Sequence, residues 1–258
     1  MGELFIQGGH RVLREARDLQ QAVADMLGLA RGSLVISTGP YPGHALVPDA
    51  VAALSRSAPD VYCRIREADW TEVPAHLLER SSEVAVADFS LVAGDERFAT
   101  ELLIDDPFHF VCRSGHPLAG RGHVTLEEFN RYPLVGNRVP ERVGRFLELA
   151  AGEAGGPGPA GPFRVKIDVV TFAAAKRIML GSDSISMTPL PQVADELLAG
   201  SLTLLRVDIP TPRMQSGLIH LAGRSLSPTA CRFVAELRRI KVEMERRAAG
   251  LAARFGLA

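Results

Sequence analysis

The segment Gly32-Ser-Leu-Val-Ile-Ser-Thr-Gly-Pro40 separates a long helical pattern from a buried strand, and it decides how the chain is interpreted. Its Leu-Val-Ile core followed by Gly-Pro is typical of a strand that ends at a turn. Before it, apolar residues recur once every seven positions, at Phe5, Val12, Leu19 and Met26. This spacing predicts a helix over residues 1–30, roughly 40 Å long, with one apolar seam.

The apolar seam predicts an arm that pairs with a partner chain. A helix of this length exceeds what the first element of a compact core needs, and nothing nearby in the sequence covers its seam. A second interpretation stays open, in which the helix packs on its own domain. Under the first interpretation the chain is a subunit of a homodimer or homotetramer, and the four seam residues form the dimer interface.

Composition sets the broad class of the protein. Of 258 residues 47% are hydrophobic, which is enough for a sizeable core, and the net charge of −1 indicates no overall basic surface for nucleic acid. Three widely spaced cysteines without a CxxC pair fit a reducing compartment. The sequence has no signal-peptide pattern and no run of about 18 apolar residues. We therefore expect a cytoplasmic protein without a membrane partner.

Strands and helices alternate after the first helix, which predicts an α/β fold with a parallel sheet. The first series comprises strands 33–37, 61–67 and 83–87 with helices 48–56 and 72–80 between them. Two further strands, 99–105 and 107–113, are expected to meet at Asp105-Asp-Pro107. The remaining predicted elements are strands 133–136, 163–170, 184–187, 203–207 and 216–222, and helices 141–151, 172–180, 191–198 and 227 onward. The apolar seam of this last helix could pack on the chain's own first helix or on a partner's.

Several segments together resemble LysR-type transcriptional regulators. The residues from Gly2 to Leu13 resemble the family's linker helix, and Gly32–Pro40 resembles the start of its effector-binding domain. Cys112-Arg-Ser-Gly-His-Pro-Leu-Ala119 is similar to the opening of the second lobe. Ser184-Ile-Ser-Met-Thr-Pro-Leu-Pro191 resembles a late strand that ends at a proline, and Leu226-Ser-Pro-Thr-Ala230 resembles the start of the closing helix. The resemblance runs in register from about residue 2 to residue 240.

The resemblance implies a two-lobed, periplasmic-binding-protein-like (type 2) domain that holds a small metabolite between its lobes. Family members bind DNA through a winged helix-turn-helix that precedes the linker helix, and we expect this chain to lack it. The implied domains are a linker and dimerisation helix (1–30), lobe I (32–106 and 208–240), lobe II (107–207) and a helical C-terminal extension (241–258). The extension is longer than the family usually carries.

Strand ends supply the candidate effector-binding residues, because ligands of open parallel sheets bind where strands end and helix N-termini offer free N–H groups. The candidates are Thr38, Gly39, Tyr41, Asp69, Trp70, Asp88, Asn137, Thr171, Phe172 and Thr188. Each class has a structural alternative: threonines cap helices, aspartates cap turns, and aromatic residues pack. Carboxylates in the cleft favour an amine or a hydroxyl-rich effector, whereas helix N-termini favour a carboxylate. A zwitterion would satisfy both.

The sequence shows no arrangement typical of catalysis. Its histidines are scattered, without HExxH, and no Gly-x-Ser-x-Gly elbow occurs. We interpret His116, in a turn that resembles the lobe-opening loop, as structural. We therefore expect no metal, no cofactor and no enzyme activity. Two alternatives remain: a solute-binding protein, which needs a secretion signal and no dimerising helix, and an enzyme on the same fold, which needs a convergent acid–base pair.

Overall fold

The structure is a computed structural model that describes residues 32–151 and 165–257, together with Gly9. The predicted linker helix and its seam of Phe5, Val12, Leu19 and Met26 lie outside the described residues. The same holds for the glycine- and proline-rich segment 152–164.

The described strands and helices follow the predicted alternation. The strands are β1 Ser33–Thr38, β2 Tyr62–Glu67, β3 Val84–Ala87, β4 Phe98–Arg113, β5 Val135–Gly136, β6 Ile167–Asp168, β7 Ser186–Pro189, β8 Leu202–Leu205 and β9 Arg213–Leu221. The helices are α1 Pro40–Ala45, α2 Val47–Ser57, α3 Val73–Leu78, α4 Leu126–Phe129, α5 Glu141–Ala151, α6 Phe172–Gly181, a 3₁₀ helix Leu190–Val193, α7 Ala194–Leu198 and α8 Pro228–Arg254. The short helices α1 and α4 were not predicted.

The first sheet is mixed, although the alternation predicted a parallel one. Strand β1 pairs in parallel with β2 and β3, so Ile36 lies beside both Ile65 and Val84. Strand β9 then runs antiparallel to β3, and β4 runs antiparallel to β9. The order is β2-β1-β3-β9-β4. The late strand β9 enters the middle of a sheet built from early residues, and local sequence patterns carry no signal for such a return.

The two strands predicted to meet at Asp105-Asp-Pro107 are one continuous strand. Strand β4 has 16 residues. Up to Pro107 it pairs with β9, and from Phe108 it pairs with β7, then with β8. Proline has no N–H to donate, and it lies where the strand changes partners, which a sheet tolerates. One strand therefore links two sheets.

The first sheet, with α2, α3 and the first part of α8, forms what we call lobe I. Apolar side chains of β3 alternate between its two faces. Val84 and Val86 join one core cluster with Phe233 of α8. Ala85 and Ala87 join a second cluster on the opposite face, with α3. Both faces are covered by helices, as in an α/β fold.

The second sheet, with α5, α6 and α7, forms what we call lobe II. The last part of β4 alternates in the same way: Phe110 and Cys112 join one cluster, and Val111 joins another with Phe172 and Met179 of α6. The predicted α/β fold class is confirmed. Strand β6, expected over 163–170, is described only over Ile167–Asp168, where it pairs with the equally short β5.

Helix α8 packs on the two lobes of its own chain, which was neither of the two alternatives that the sequence offered. The first helix, one of those alternatives, lies outside the described residues. The buried α8 residues Phe233 and Leu237 belong to the core of lobe I. Further along, Leu251 and Phe255 pack against the α6 and α7 cluster of lobe II. The helix has 27 residues, so it is roughly 40 Å long and contacts both lobes. Among the described residues, none of the helices combines the length and apolar character of a membrane span.

Candidate functional site

A cleft lies between the two lobes and is lined by residues of both. It holds about 610 Å³ of space, part of it open to solvent. Most of its walls are apolar. The lining residues are Gly39, Pro40, Tyr41, Pro42, Trp70, Asp88, Phe108, Gly136, Asn137, Arg138, Val139, Pro140, Phe172, Ser186, Met187, Gln192, Met214 and Ser216.

The structure brings six of the ten candidate residues together at this cleft. They are Gly39, Tyr41, Trp70, Asp88, Asn137 and Phe172. Thr38, Asp69, Thr171 and Thr188 are not among the lining residues. Contact of any of the ten with an effector stays a prediction.

The four remaining candidates bond within their own lobes. Thr38 is fully buried, and its hydroxyl donates to the carbonyl oxygens of Gly39 and Val86, each at 3.1 Å. The Thr188 hydroxyl donates to Gln192 Oε1 at 2.5 Å. Thr171 caps α6 by accepting from Ala174 N–H, and Asp69 accepts from the N–H and hydroxyl of Thr71. Asp69 and Thr171 thus act as a turn cap and a helix cap, as the structural alternatives predicted. Thr38 and Thr188 do not cap a helix, and their hydroxyls bond to backbone carbonyls and to Gln192 instead.

Asp88 forms an ion pair across the lobes that the sequence analysis did not predict. Its Oδ2 accepts from an Arg142 guanidinium nitrogen at 2.5 Å, and its Oδ1 accepts from the N–H and hydroxyl of Ser90. Asp88 follows β3 of lobe I, and its side chain is 6% exposed. Arg142 lies in the first turn of α5 in lobe II and also donates to the Arg213 carbonyl oxygen at 3.1 Å. The charge of Asp88 is therefore balanced.

Tyr41 lines the cleft but its hydroxyl is already bound. Pro40 begins α1, and the Tyr41 hydroxyl donates to Asp106 Oδ2 at 2.6 Å. Burial, followed by the Asp106 charge, raises the pKa of Tyr41. Burial also raises the pKa of Asp106, which the hydrogen bond from Tyr41 partly offsets. Tyr41 therefore lines the cleft with its aromatic ring, and the hydrogen bond to Asp106 fixes the position of that ring.

Asn137 holds the loop after β5. Its side-chain amide donates to the carbonyl oxygens of Val169 and Val170 at 2.6 and 2.7 Å. The next residue, Arg138, is an exposed cation at the edge of the cleft. The amide of Asn137 thus positions the turn that presents Arg138.

Sequence reasoning missed lining residues that do not follow a parallel strand. Phe108, Met214 and Ser216 come from β4 and β9, the antiparallel strands that pass between the lobes. Ser186 and Met187 lie at the start of β7 rather than at its end. The expectation that ligands bind where parallel strands end does not apply to these positions. The nearest sequence signal is the predicted strand junction at Asp105-Asp-Pro107, which directly precedes Phe108.

His116 has the contacts of a structural residue. It is buried, its Nδ1 accepts from Leu118 N–H at 3.0 Å, and its Nε2 lies 3.2 Å from the Asp183 carbonyl oxygen. Burial lowers the pKa of its ring. Within residues 32–151 and 165–257, no group of three or more His, Cys, Asp or Glu side chains is arranged to hold a metal ion.

Comparison with known proteins identifies the family. Residues 27–240 match the family described as the LysR substrate binding domain. The chain is 35% identical over 233 residues to the SDS degradation transcriptional activation protein of a Pseudomonas species, covering 89% of this chain and 74% of that protein. It is 26% identical over 240 residues to the transcriptional regulator GalR of Pseudomonas putida, of which it covers 57%.

Solved structures share the fold at lower identity. An OxyR mutant from Corynebacterium glutamicum is similar with a TM-score of 0.65 and 18% identity, over 97% of this chain and 77% of that one. The effector binding domain of QuiR in complex with shikimate is similar with a TM-score of 0.62 and 15% identity, over 83% and 99%. These findings confirm the predicted two-lobed, periplasmic-binding-protein-like (type 2) fold. With the family match and the 35% identical relative, they show that this chain belongs to the LysR family of transcriptional regulators.

Proposed function

We propose that this chain is the effector-sensing and oligomerisation portion of a LysR-type transcriptional regulator. The observation that carries the proposal is a largely apolar cleft lined by both lobes and bridged by the Asp88–Arg142 ion pair. A metabolite that contacts both walls stabilises the closed arrangement of the lobes. The metabolite can shift the equilibrium between the open and closed lobes only by the difference between its binding free energies for the two arrangements.

The proposed domains are those that the resemblance implies. Lobe I comprises 32–106 and 208–240, and lobe II comprises 107–207. The change of partners in β4 at Pro107, and the start of β9 at Arg213, support crossovers near these boundaries. A linker helix at 1–30 would carry the lobe movement to the winged helix-turn-helix of the intact regulator, which alone would contact DNA.

Oligomerisation is proposed to use the heptad-spaced seam Phe5, Val12, Leu19 and Met26. Leu19→Glu places a charge in this seam and should weaken dimerisation. Gln20→Glu adds the same charge at the neighbouring position, off the seam, and should leave the dimer intact. Light scattering at several protein concentrations measures the mass. An unchanged mass for Leu19→Glu would contradict the proposed interface.

The effector is proposed to bind and leave unchanged, as in a sensor rather than an enzyme. A thermal-melt screen against a panel of metabolites tests this, followed by recovery and weighing of the strongest hit. At 100 times its dissociation constant a ligand adds about 2.7 kcal/mol, which for a chain of this size is roughly 5–10 °C. Alkyl sulfates and their alcohols belong in the panel because a 35% identical relative is named for SDS degradation.

The recovered compound separates the candidate functions. A large shift with the ligand recovered intact supports a sensor. Recovery as a product would replace the sensor with an enzyme on the same fold. If no compound raises the melting temperature, the proposed sensing role of the cleft loses its support.

A further inference from the structure

Within residues 32–151 and 165–257, the charges at the cleft leave one cation without a partner. Two of the lining residues are charged, Asp88 and Arg138. Asp88 is paired with Arg142 at 2.5 Å. Among the residues that the structure describes, no hydrogen bond or ion pair engages the guanidinium of Arg138. The unbalanced charge at the cleft is therefore positive.

Two buried polar groups at the cleft have no hydrogen-bond partner among the described residues, and both can donate. Ser186 is fully buried, lines the cleft, and its hydroxyl has no hydrogen-bond partner in the described structure. The buried indole N–H of Trp70, on the lobe I side of the same cleft, also has none. Buried polar groups in folded proteins are normally hydrogen-bonded, so these two point to a ligand that accepts hydrogen bonds.

The negative groups near the cleft are already satisfied. Asp88 accepts from Arg142 and from both donors of Ser90. Asp106 accepts from the Tyr41 hydroxyl, and Asp69 accepts from its own turn at Thr71. Among the described residues at the cleft, no carboxylate is left over for an ammonium group. This argues against the zwitterion considered from the sequence, since the structure offers a partner for only one of its two charges.

We infer that the cleft selects an organic anion with an apolar body, whose carboxylate or sulfate group is held by Arg138 and Ser186. The inference rests on the proposed sensing function and names the class of effector. Charge-assisted hydrogen bonds from a guanidinium to such a group are among the stronger polar contacts in proteins. The body lies against apolar walls from both lobes, including Trp70, Phe108 and Phe172. An anion that spans these walls contacts lobe I through its body and lobe II through its head group.

The charge selectivity is tested with four probes that share one alkyl chain: octanoate, octyl sulfate, 1-octanol and octylammonium. Trp70 is the chain's one tryptophan and lines the cleft, so its fluorescence reports binding at this site. Calorimetry gives the affinity independently of Trp70. We expect an anion to bind at least roughly tenfold more tightly than the alcohol, and octylammonium to bind more weakly still. The ratio between octanoate and octyl sulfate tells which head group the site prefers.

Two variants assign the head-group contacts. Arg138→Gln should lower anion affinity roughly tenfold and leave 1-octanol binding unchanged. The matched control is Arg145→Gln, an exposed arginine of α5 that does not line the cleft. Ser186→Ala should also weaken the anions selectively.

Two kinds of result would overturn the inference. One is that octanol or octylammonium binds as tightly as the anions, or that Arg138→Gln weakens all probes equally. The cleft would then be a binding site without charge selectivity, and the sensing role would stand. The other is that neither anion binds. Whether the protein then binds any effector at all is decided separately, by the broader thermal-melt screen of the proposed function.

Discussion

Three buried or half-buried histidine rings are harder to protonate in this folded domain than in the unfolded chain. Burial lowers the pKa of His44, His109 and His116 below the ordinary value near 6.5. As the pH falls below 6.5, the unfolded chain therefore takes up protons that the folded chain does not. The stability that these residues contribute is present above pH 6.5 and is lost as the pH falls through the lowered pKa values.

We expect the free energy of unfolding to decrease from pH 7 to pH 5, and His116→Gln to reduce that decrease. Urea unfolding at each pH measures it. The raised pKa values of Asp106 and Glu67 act in the opposite sense, so the difference between variant and parent isolates His116. If the free energy of unfolding of His116→Gln falls as much between pH 7 and pH 5 as that of the parent, His116 does not contribute to the decrease.

At the scale of an element, β9 depends on a glycine at its centre. Gly217 pairs with Ala87 of β3 on one side and Leu102 of β4 on the other. A Cβ at this position would lie 2.5 Å from the Glu101 carbonyl oxygen and 2.9 Å from the Phe89 ring. Backbone and a packed ring cannot both move away, so β9 accepts no larger residue here.

Gly217→Ala should therefore destabilise the domain by about 1–3 kcal/mol, the range typical of overpacking. The control is Gly144→Ala in α5, where a Cβ meets nothing within 4 Å. That substitution should stabilise the protein by about 0.5–1 kcal/mol, because alanine favours the helix over glycine. Chemical unfolding of both variants compares them directly. Equal effects would mean that the close contact at Gly217 relaxes without cost.

At the scale of the whole molecule, α8 ties the two lobes together. Residues such as Phe233 and Leu237 are buried in lobe I, and Leu251 and Phe255 pack on lobe II. The same lobes are joined by β4 and by the Asp88–Arg142 pair. Because a continuous helix resists bending, we predict that its contact with lobe II restrains how far the cleft can open.

We expect Leu251→Asp to release this restraint, because a carboxylate cannot replace apolar contacts at the lobe II cluster. The variant should lose roughly 2 kcal/mol of stability and show a larger radius of gyration by small-angle X-ray scattering. Val242→Asp places the same charge on an exposed position of the same helix and should change neither. If both variants keep the parent's radius, the end of α8 does not restrain the lobes.

Local sequence patterns predicted much of the fold and part of the candidate site. The strand β1 and helices such as α5 lie where their apolar spacing placed them, since that spacing reflects which face is buried. Gly39, Trp70 and Asn137 reach the cleft because strand ends share one edge of a parallel sheet. The ion-pair partner of Asp88 was not predictable, because Arg142 is 54 residues away in sequence.

The sequence by itself determined the alternation of elements, the family and the location of the cleft at the strand ends. Only the tertiary structure decided that β4 is one strand shared by two lobes and that α8 contacts both. It also decided that Asp88 is paired while Arg138, within the described part of the chain, is not. The physical reason is the separation along the sequence over which each kind of interaction acts. Periodicity and turn chemistry act over a few residues, whereas strand pairing, helix docking and charge balance depend on residues that meet only after the chain has folded.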